Sequence, residues 1–397
     1  MKIVVVSEWF SEKMGYAENH LPAALARQGH EVHLVTTDLQ VYATYPKMYD
    51  KVYRAHLGPP VVPTGVFAKD GYTLHRLRHS RWGGLSNPGL AAALERLAPD
   101  IVYCFEVMNA DYQVVAEHRR RLGYRIFCES RLHSSVLRRP KDPLKRLRAW
   151  FRRRRSARLA AEVTLFYPIA PDVTRNLVEQ LGIPEAKCKP ASLAVDVGTF
   201  RKVEEPSARR GWRAELGYGP DDIVCVYTGR FVAAKAPLLL AEALRRLHER
   251  GDVHFKALFV GQGDAAEVAA LAAHPGCRVH PFVDQSRLAE IYNACDIGVW
   301  PKQESTSQLD AAACGLPLVL DAAVEDTWRT EGSGLTYAGG AAGLADCLGR
   351  LASAEERAKL GENGRLKIAQ AFSWDKLASD KLADFTQALT SGAPSHG

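Results

Sequence analysis

Several patterns that would each fix a class of protein are missing from the 397-residue sequence. No apolar run approaches the ~20 residues that a membrane-spanning helix needs. The eight cysteines form no Cys-x-x-Cys pair, and several lie inside apolar runs, where reduced buried thiols are common. There is no Asp-x-Asp, no His/Cys cluster with zinc spacing and no Gly-x-Ser-x-Gly. The sequence therefore predicts a chain in a reducing cytoplasm, with no metal and no cofactor.

The residues that are present indicate a globular chain of two domains. The content is 47% hydrophobic and 24% charged. Residues 1–8 are too short and too soon acidic for a signal peptide, so a first strand is expected there. The net charge is +7 at pH 7, and residues 1–200 hold 30 Lys and Arg against 19 Asp and Glu. The basic surplus therefore lies in the first half, where residues 131–158 alone hold twelve basic side chains.

Short apolar, β-branched runs alternate with helical periodicity along the chain, which predicts parallel sheets wound with helices and hence an α/β fold. A charged stretch with a proline, 201–207, is the best candidate for a linker. The predicted strands are 2–6, 31–36, 101–105, 125–128, 163–166, 223–228, 256–260, 278–280, 297–300 and 316–320. The predicted helices are 17–28, 90–97, 111–122, 143–161, 172–181, 236–250, 264–273, 285–294 and 343–369.

Residues 301–320 are the most informative stretch of the chain. Their pattern predicts a loop, a short helix over about 307–314 and a buried strand. The helix opens on Ser305, Thr306 and Ser307. Free backbone N–H groups and the positive end of the helix dipole would face whatever lies in front of these residues, which suits a phosphate group.

Two carboxylates flank the start of this helix and could hold sugar hydroxyls: Glu304 just before it and Asp310 one turn inside. The segment resembles the donor-site signature of family 4 retaining glycosyltransferases. These typically carry Pro-Ser, a glutamate, seven residues, a second glutamate and then Ala-Met-Ala-Cys-Gly-x-Pro-Val-Val. Asp310 stands where the second glutamate would be, and residues 311–317 follow the pattern closely, but only five residues separate the two carboxylates. The resemblance implies donor binding by Asp310 and, across a shortened spacing, a catalytic role for Glu304.

The resemblance covers nearly the whole chain. Residues 29–37 resemble the family's second strand, 193–200 the segment that closes its first domain, and 372–375 the start of its terminal helix. It implies the GT-B fold, in which two doubly wound Rossmann-like domains face a central cleft. The implied parts are an N-terminal acceptor-binding domain, 1–202, a C-terminal nucleotide-sugar domain, 203–373, and a helix, 374–391, that returns to the first domain.

Gly229, Arg230 and Lys235 follow a predicted strand in the sequence Thr-Gly-Arg-Phe-Val-Ala-Ala-Lys. Glycine lets the backbone turn sharply, and the two cations are spaced to converge on one anion from a single loop. A leaving nucleoside diphosphate gains negative charge in the transition state, so fixed cations there would lower the barrier. On the local pattern alone, two solvated surface charges remain the alternative. In the family a Gly-Arg…Lys pair binds the donor diphosphate, which implies this catalytic role for Arg230 and Lys235.

Other loops carry further predicted site residues. Gly261 and Gly263 end the next strand, and the family has a similar Gly-x-Gly turn near the nucleotide, although glycine is also common in such joints for steric reasons alone. Phe282 lies in a segment that matches the one whose backbone commonly meets the base. His133 stands where many family members have a histidine that touches the sugar; an ordinary surface residue is the alternative. Gly15 lies in the first strand–helix loop, which in the family is close to the donor phosphates.

A basic amphipathic helix is predicted over 141–158. Leu144, Leu147 and Phe151 fall on one side of it, with arginines around them and Trp150 adjacent. Such a helix can lie on an anionic membrane surface, and family members that act on lipid-linked acceptors often dock in this way. Nucleic-acid binding and a solvated face are the alternatives, and no aromatic RNA-binding motif supports the former. The residues assigned to an acceptor or a membrane are Arg148, Trp150, Arg152 and Arg155.

With the family resemblance, these patterns predict a retaining glycosyltransferase that moves a sugar from a nucleotide sugar to a glycan, lipid-linked or small-molecule acceptor. The expected mechanism is metal-independent and runs on one face of the sugar. The expected location is the cytoplasm, with peripheral contact to the inner face of the cell membrane. Two alternatives remain open. One is a nucleotide-sugar epimerase, and the other is a non-catalytic GT-B-like protein that binds glycan or assists assembly.

Overall fold

The computed structural model of the protein describes residues 1–81, 85–133, 137, 142–191, 193–302, 305–323 and 329–391. Its contacts divide the chain into two compact units. Unit 1 contains Met1–Leu193 and Trp374–Gly397, and unit 2 contains Ala194–Ser373. Each unit is built around a sheet of its own.

The strands of unit 1 are β1 (Lys2–Val6), β2 (Glu31–Thr37), β3 (Gly65–Ala68), β4 (Thr73–Leu77), β5 (Ile101–Phe105), β6 (Arg125–Ser130) and β7 (Val163–Pro168). They form one sheet in the order β3-β4-β2-β1-β5-β6-β7, in which only the β3–β4 pair is antiparallel. The central strands β1 and β5 are apolar and buried almost throughout, as expected of a parallel sheet with helices on both faces. The continuous apolar runs of the sequence therefore mark the centre of this sheet.

The strands of unit 2 are β8 (Ile223–Arg230), β9 (Phe255–Gln262), β10 (Cys277–His280), β11 (Ile297–Trp300), β12 (Leu318–Asp321) and β13 (Gly334–Tyr337). Their order in the sheet is β10-β9-β8-β11-β12-β13, and every pair is parallel. The chain winds outward in one direction from β8 to β10 and in the other from β11 to β13. This sheet is therefore doubly wound, with its switch point between β8 and β11.

Helices cover both sheets, and none of those described is long and apolar enough to cross a membrane. The first seven are α1 (Ala17–Arg27), α2 (Pro46–Met48), α3 (Arg54–Leu57), α4 (Leu90–Leu97), α5 (Ala110–Leu122), α6 (Pro143–Ala160) and α7 (Pro171–Leu181). The remaining eight are α8 (Pro206–Glu215), α9 (Leu238–Glu249), α10 (Ala265–Ala272), α11 (Gln285–Ala294), α12 (Ser307–Ala313), α13 (Gly340–Arg350), α14 (Ala354–Ala371) and α15 (Trp374–Thr390).

Helix α15 packs on unit 1, although it follows all of unit 2 in the sequence. The ring of Phe385 is fully buried and lies 4.5 Å from the ring of Phe127 on β6. The carboxylate of Asp384 accepts hydrogen bonds from the Tyr167 hydroxyl at 2.8 Å and from Nζ of Lys189 at 2.7 Å. An apolar contact and a buried charged hydrogen-bond group therefore fix this helix to the sheet.

The sequence expectation of one helix over 343–369 is wrong. The structure has two helices, α13 and α14, because Ser353 starts the second one. Its hydroxyl oxygen accepts a hydrogen bond from the N–H of Glu356, which is a side-chain cap at a helix start.

The expected linker at 201–207 is also corrected. The N–H of Val203 donates to Oδ1 of Asn293 at 2.8 Å, and helix α8 begins at Pro206. This stretch is therefore attached to unit 2, and the division between the units falls at 193/194, whereas the sequence had placed it at 202/203.

Candidate active site

The residues predicted to bind the donor lie along one edge of the unit 2 sheet. In open α/β sheets, ligands bind outside the carboxyl ends of the strands at the switch point, which here lies between β8 and β11. Four neighbouring strands, β10, β9, β8 and β11, end at this edge. The predicted residues that lie at or just beyond these four strand ends are Gly229 and Arg230, Gly261 and Gly263, Phe282, and Ser305, Thr306, Ser307 and Asp310.

The backbones of β8 and β9 approach each other closely at this edge. Gly229 and Gly261 are register partners with φ values of +144° and +143°, a region that favours glycine. A Cβ on Gly261 would lie 2.0 Å from the carbonyl oxygen of Gly229, and one on Gly263 would lie 2.8 Å from that of Phe231. These contacts give the glycines a steric role, which was the simpler of the two sequence interpretations. Direct contact with a donor stays a prediction.

Two cations, Arg230 and Lys235, lie beside the glycines. Arg230 is the exposed last residue of β8, and its carbonyl oxygen accepts a hydrogen bond from the Tyr227 hydroxyl at 2.9 Å. Nζ of Lys235 lies 3.7 Å from the place a Cβ on Gly229 would take. Burial, and then the nearby charge of Arg230, lower the pKa of Lys235. Neither cation forms an ion pair with any residue that the structure describes, so a bound anion would interact with both.

Hydrogen bonds from buried side chains hold the loop before α12. The Tyr292 hydroxyl donates to the carbonyl oxygen of Ser307 at 3.3 Å and lies 2.8 Å from the Thr228 hydroxyl on β8. Buried Arg329 donates to the carbonyl oxygen of Ser305 at 3.1 Å. The loop is thereby fixed next to the end of β8, where the cations lie.

The start of α12 differs from the sequence expectation. Thr306 occupies the cap position but makes no capping hydrogen bond with its side chain, and the hydroxyls of Ser305 and Ser307 bond to each other at 2.7 Å. The N–H groups of Gln308 and Leu309 donate to the carbonyl oxygens of Ser305 and Thr306. Two N–H groups expected to be free for a phosphate are therefore already used, because the first turn is tighter than an ideal α-helix. Donor binding by the three hydroxyl residues stays a prediction.

Asp310 is a carboxyl group whose acidity is strongly changed by its surroundings. Burial raises its pKa from 3.8 to about 8, with a smaller contribution from the nearby carboxylate of Asp196. Asp196 accepts hydrogen bonds from the N–H of Gly198 and the hydroxyl of Thr199. At neutral pH, Asp310 is therefore protonated, and a protonated carboxyl both donates and accepts a hydrogen bond. A sugar hydroxyl also donates and accepts hydrogen bonds, so it is a suitable partner for this carboxyl group.

Replacing Asp310 with asparagine is expected to remove a pH dependence of stability. A carboxyl group with a raised folded pKa stabilises the fold fully below its unfolded pKa of 3.8 and loses this contribution as pH rises through about 8. Asparagine cannot ionise, so as pH rises from about 5 to about 8 the free energy of unfolding of the variant should increase by about 2 kcal/mol relative to that of the wild type. This figure is smaller than the full pKa shift implies, because the side chain is only half-buried and solvent screens its charge. Urea unfolding measures this, with exposed Asp221→Asn as control; parallel curves for Asp310→Asn and the wild type would contradict the prediction.

Two further residues predicted for the site are Glu304 and Phe282. Glu304 lies outside the described residues. Phe282, beyond the end of β10, is 39% exposed, so its ring is accessible to a base. Within the described ranges, no three His, Cys, Asp or Glu side chains are grouped so that they could hold a metal ion.

In unit 1, Gly15 and His133 lie in loops that follow β1 and β6. Gly15 has a φ of +64° and precedes α1. Nδ1 of His133 lies 3.1 Å from the carboxylate of Asp172 at the start of α7, and the histidine side chain is 37% exposed. The carboxylate orients the ring and leaves part of it accessible. Contact of His133 with a sugar, and of Gly15 with a phosphate, stays a prediction.

The sequence prediction missed a group of acids at the carboxyl ends of β1 and β5. Glu8 follows β1, and Glu106 follows β5 with a φ of +74°, which is uncommon for a residue other than glycine. Burial raises the pKa of both carboxyl groups to about 7, and that of Asp111 to about 6. Each of these glutamates stands just after a predicted strand, where ligands of α/β sheets bind, so the signal was present in the sequence.

Arg131 holds two further acids at the end of β6. Its guanidinium lies 3.2 Å from the carboxylate of Glu18 on α1 and 3.0 Å from that of Glu129. The backbone N–H of Arg131 donates a hydrogen bond to the carboxylate of Glu106. The arginine thereby joins three acids from separate elements of unit 1. The carboxylates of Glu18 and Glu129 are almost fully buried, so their hydrogen-bonding capacity is largely used within the protein.

The residues predicted for an acceptor or a membrane all lie on α6, but they do not share one environment. Arg148 is exposed, and Trp150 is 46% exposed. Arg152 is half-buried, and Arg155 donates to Oε1 of Gln113 on α5. Arg148 and Trp150 are therefore free to meet a partner, whereas Arg155 already has a hydrogen-bond acceptor on the protein.

Family models match both halves of the chain. "Glycosyl transferase 4-like domain" matches residues 15–192, and "Glycosyl transferases group 1" matches residues 222–354. The D-inositol 3-phosphate glycosyltransferase of Geodermatophilus obscurus is 30% identical over 248 residues, 58% of this chain and 54% of that protein. The D-inositol 3-phosphate glycosyltransferase of Streptomyces griseus is 30% identical over 258 residues, 59% of this chain and 53% of that protein. The chain thus spans about half the length of the curated relatives it matches.

Solved structures share the fold along almost the whole chain. Sucrose-phosphate synthase from Thermosynechococcus elongatus has a TM-score of 0.73 at 16% identity, covering 98% of this chain and 100% of that one. Anabaena HepE in complex with UDP-glucose has a TM-score of 0.64 at 16% identity, with coverage of 98% and 100%. WaaG, a glycosyltransferase involved in lipopolysaccharide biosynthesis, has a TM-score of 0.63 at 14% identity, with coverage of 97% and 99%. With its two Rossmann-like sheets and two glycosyltransferase domains, the chain belongs to the family 4-like glycosyltransferases of the GT-B group.

Proposed function

We propose that the protein transfers a sugar from a nucleotide-sugar donor bound at the carboxyl edge of the unit 2 sheet. The observation that carries this proposal is the pair of neighbouring cations, Arg230 and Lys235, at the switch point of that sheet. A guanidinium binds phosphate through two parallel hydrogen bonds, and an ammonium adds a second charge. HepE, which is similar in fold, has been solved with UDP-glucose, and this supports a donor of the same chemical class.

The proposed reaction retains the configuration of the sugar. As the bond between the anomeric carbon and the phosphate oxygen breaks, negative charge grows on the leaving diphosphate, where Arg230 and Lys235 would stabilise it. The acceptor hydroxyl approaches on the same face, forms the new bond to the anomeric carbon and gives its proton to the leaving phosphate. No enzymic nucleophile is then needed. Protonated Asp310 would hold a hydroxyl of the donor.

Metal independence is part of this proposal. A metal-dependent transferase holds its diphosphate through a metal bound by an acid pair, whereas here two fixed cations would supply the positive charge directly. The proposed location is a reducing cytoplasm, which is supported by eight free cysteines, six of them buried.

The acceptor would bind at unit 1, whose edge carries buried acids. The half-buried carboxyl groups of Glu8 and Glu106 would offer hydrogen bonds to hydroxyl groups. A phosphate placed beside these carboxyl groups would meet like charge in the fraction that is ionised at neutral pH, which is unfavourable. We therefore favour a glycan or lipid-linked acceptor whose reacting end carries hydroxyls and no phosphate.

The experiment that tests the donor site is a thermal shift against UDP-, GDP- and dTDP-sugars, with and without EDTA, beside the Arg230→Ala variant. A ligand that binds only the folded state raises its stability by about 2.7 kcal/mol at about 100 times the dissociation constant. We expect a shift for one nucleotide class that is insensitive to EDTA and is lost in the variant.

Three outcomes would contradict parts of the proposal. The absence of a shift with every donor would favour the non-catalytic alternative. A shift abolished by EDTA would contradict metal independence. Conversion of the donor into an isomeric nucleotide sugar without acceptor, seen by chromatography, would favour the epimerase.

A further inference from the structure

Helix α6 presents an apolar stripe to solvent. Leu144, Leu147, Trp150 and Phe151 are 62%, 52%, 46% and 60% exposed. They recur at intervals that bring them to one side of a helix, and the rings of Trp150 and Phe151 pack edge to face, 4.9 Å apart. Thirteen large apolar side chains are exposed in the described ranges, and four of them lie in this stripe. The concentration on one helix therefore sets it apart from scattered surface residues.

The side of α6 that packs on unit 1 is the opposite one. Ser156 and Ala160 are the buried residues of the helix, and Nε of Arg153 donates to the carbonyl oxygen of Glu179 on α7. At 100° per residue, the centre of the apolar stripe lies roughly 170° from Ser156 and Ala160. The stripe therefore points away from the protein and adds nothing to its core.

Cations surround the stripe. The helix contains eight basic residues and no acidic residue. Arg148 and Arg158 lie within or beside the stripe on the helical projection. The guanidinium of Arg154 stacks over the ring of Trp150 at 4.3 Å. An occupant of this surface must therefore offer both apolar material and negative charge.

An anionic lipid bilayer offers both. Its acyl boundary accepts leucine and phenylalanine, its headgroup region favours tryptophan, and its phosphates attract arginine. A second copy of the chain would bring eight cations of one helix against eight of the other, which like-charge repulsion opposes. Nucleic acid would pair with the arginines but would leave exposed leucines without an apolar partner.

We propose that α6 lies on the surface of an anionic lipid bilayer. Leu144, Leu147, Trp150 and Phe151 enter the boundary between headgroups and acyl chains, and the neighbouring arginines bind lipid phosphates. This proposal rests on α6 alone and does not depend on the donor site of unit 2.

Co-sedimentation with vesicles tests it, using phosphatidylcholine with and without phosphatidylglycerol. The full chain is expected to bind the anionic vesicles and to be released by salt. The pair Leu147→Ser and Phe151→Ser should lower the partition coefficient roughly tenfold or more. The pair Arg148→Ser and Arg158→Ser should lower it roughly tenfold and weaken its salt dependence.

A matched control places the same loss of apolar surface elsewhere. Val66 and Val253 are 64% and 53% exposed outside α6, so Val66→Ser with Val253→Ser should bind vesicles as the wild type does. All variants should melt at the wild-type temperature and keep their donor response, because the changed side chains lie outside the core.

Three results would overturn the proposal. One is failure of the wild type to bind anionic vesicles more strongly than neutral ones. Another is a dimer, seen by sedimentation, that the Leu147/Phe151 variant loses while vesicle binding is unchanged. The third is binding to short DNA or RNA that the arginine variant loses and the apolar variant keeps, with no response to vesicles.

Discussion

Replacing Arg230 with alanine is expected to lower kcat/KM for sugar transfer roughly 100- to 1,000-fold. The guanidinium lies at the switch point of the unit 2 sheet beside Lys235, in the place where the proposed leaving group gains charge. Because that charge is largest in the transition state, the loss should fall mainly on kcat and less on donor affinity. The measurement is the release of nucleoside diphosphate from whichever donor gives a thermal shift.

The matched control is Arg210→Ala. Arg210 is also an exposed arginine of unit 2, but it lies on helix α8, away from the four strand ends that form the candidate site. We expect this variant to keep the wild-type rate. Arg230→Lys keeps the positive charge but loses the planar guanidinium, which can donate two parallel hydrogen bonds to a phosphate. This variant should therefore recover only part of the activity. An Arg230→Ala enzyme as active as the control would refute the proposed role.

Replacing Gly261 with alanine should destabilise unit 2 by about 3 kcal/mol and weaken donor binding with it. The added Cβ would lie 2.0 Å from the carbonyl oxygen of Gly229, and the residue holds a φ of +143° that alanine avoids. Since the clash is with backbone, the strands must separate at the point where β8 presents Arg230. Urea unfolding gives the loss of stability, and the donor-induced thermal shift gives the loss of binding.

The same substitution within a helix supplies the control. Gly211 lies in α8, and a Cβ there would meet nothing within 4 Å. Gly211→Ala should therefore be neutral or stabilising by about 0.5–1 kcal/mol, since alanine loses less backbone entropy than glycine. Equal effects of the two substitutions would show that the close approach of β8 and β9 is not required.

The sequence predicts best those elements whose burial is uniform. Strands β1, β5 and β11 are short apolar runs buried almost throughout, and residues 224–228 of β8 are buried as well. Each of these strands was expected within two residues of its observed bounds. Their alternation with amphipathic helices was enough to predict parallel sheets. The doubly wound α/β class is confirmed by the sheet topology and by the solved structures of similar fold.

Strand β4 shows why other elements escaped prediction. It contains His75 and Arg76, which the pattern would place in solvent, yet both are buried. The ring of His75 pairs with that of His33 on β2, and the guanidinium of Arg76 lies 5.6 Å from the ring of Phe10 and 3.5 Å from the carboxylate of Glu12. These partners are distant in sequence, so no local pattern reveals them.

Some features of the candidate site could likewise be predicted from the sequence, and others could not. Arg230 and Lys235 could be found because they follow a strand within one short motif. The raised pKa of Asp310 could not, because it comes from burial and from Asp196, more than a hundred positions earlier. The tight first turn of α12 was equally hidden, since Ser305 and Ser307 satisfy each other instead of capping the helix.

The docking of α15 on unit 1 has a consequence for synthesis. A ribosome completes the continuous stretch 194–373 before it makes α15, so unit 2 can fold while unit 1 still lacks a helix. Until that helix arrives, the rings of Phe127 and Tyr167 on the first sheet lack the cover that Phe385 and Asp384 later provide. The usual order, in which the N-terminal part of a nascent chain matures first, is therefore reversed. The first unit to emerge is the last to finish, and its apolar sheet face needs protection in the meantime.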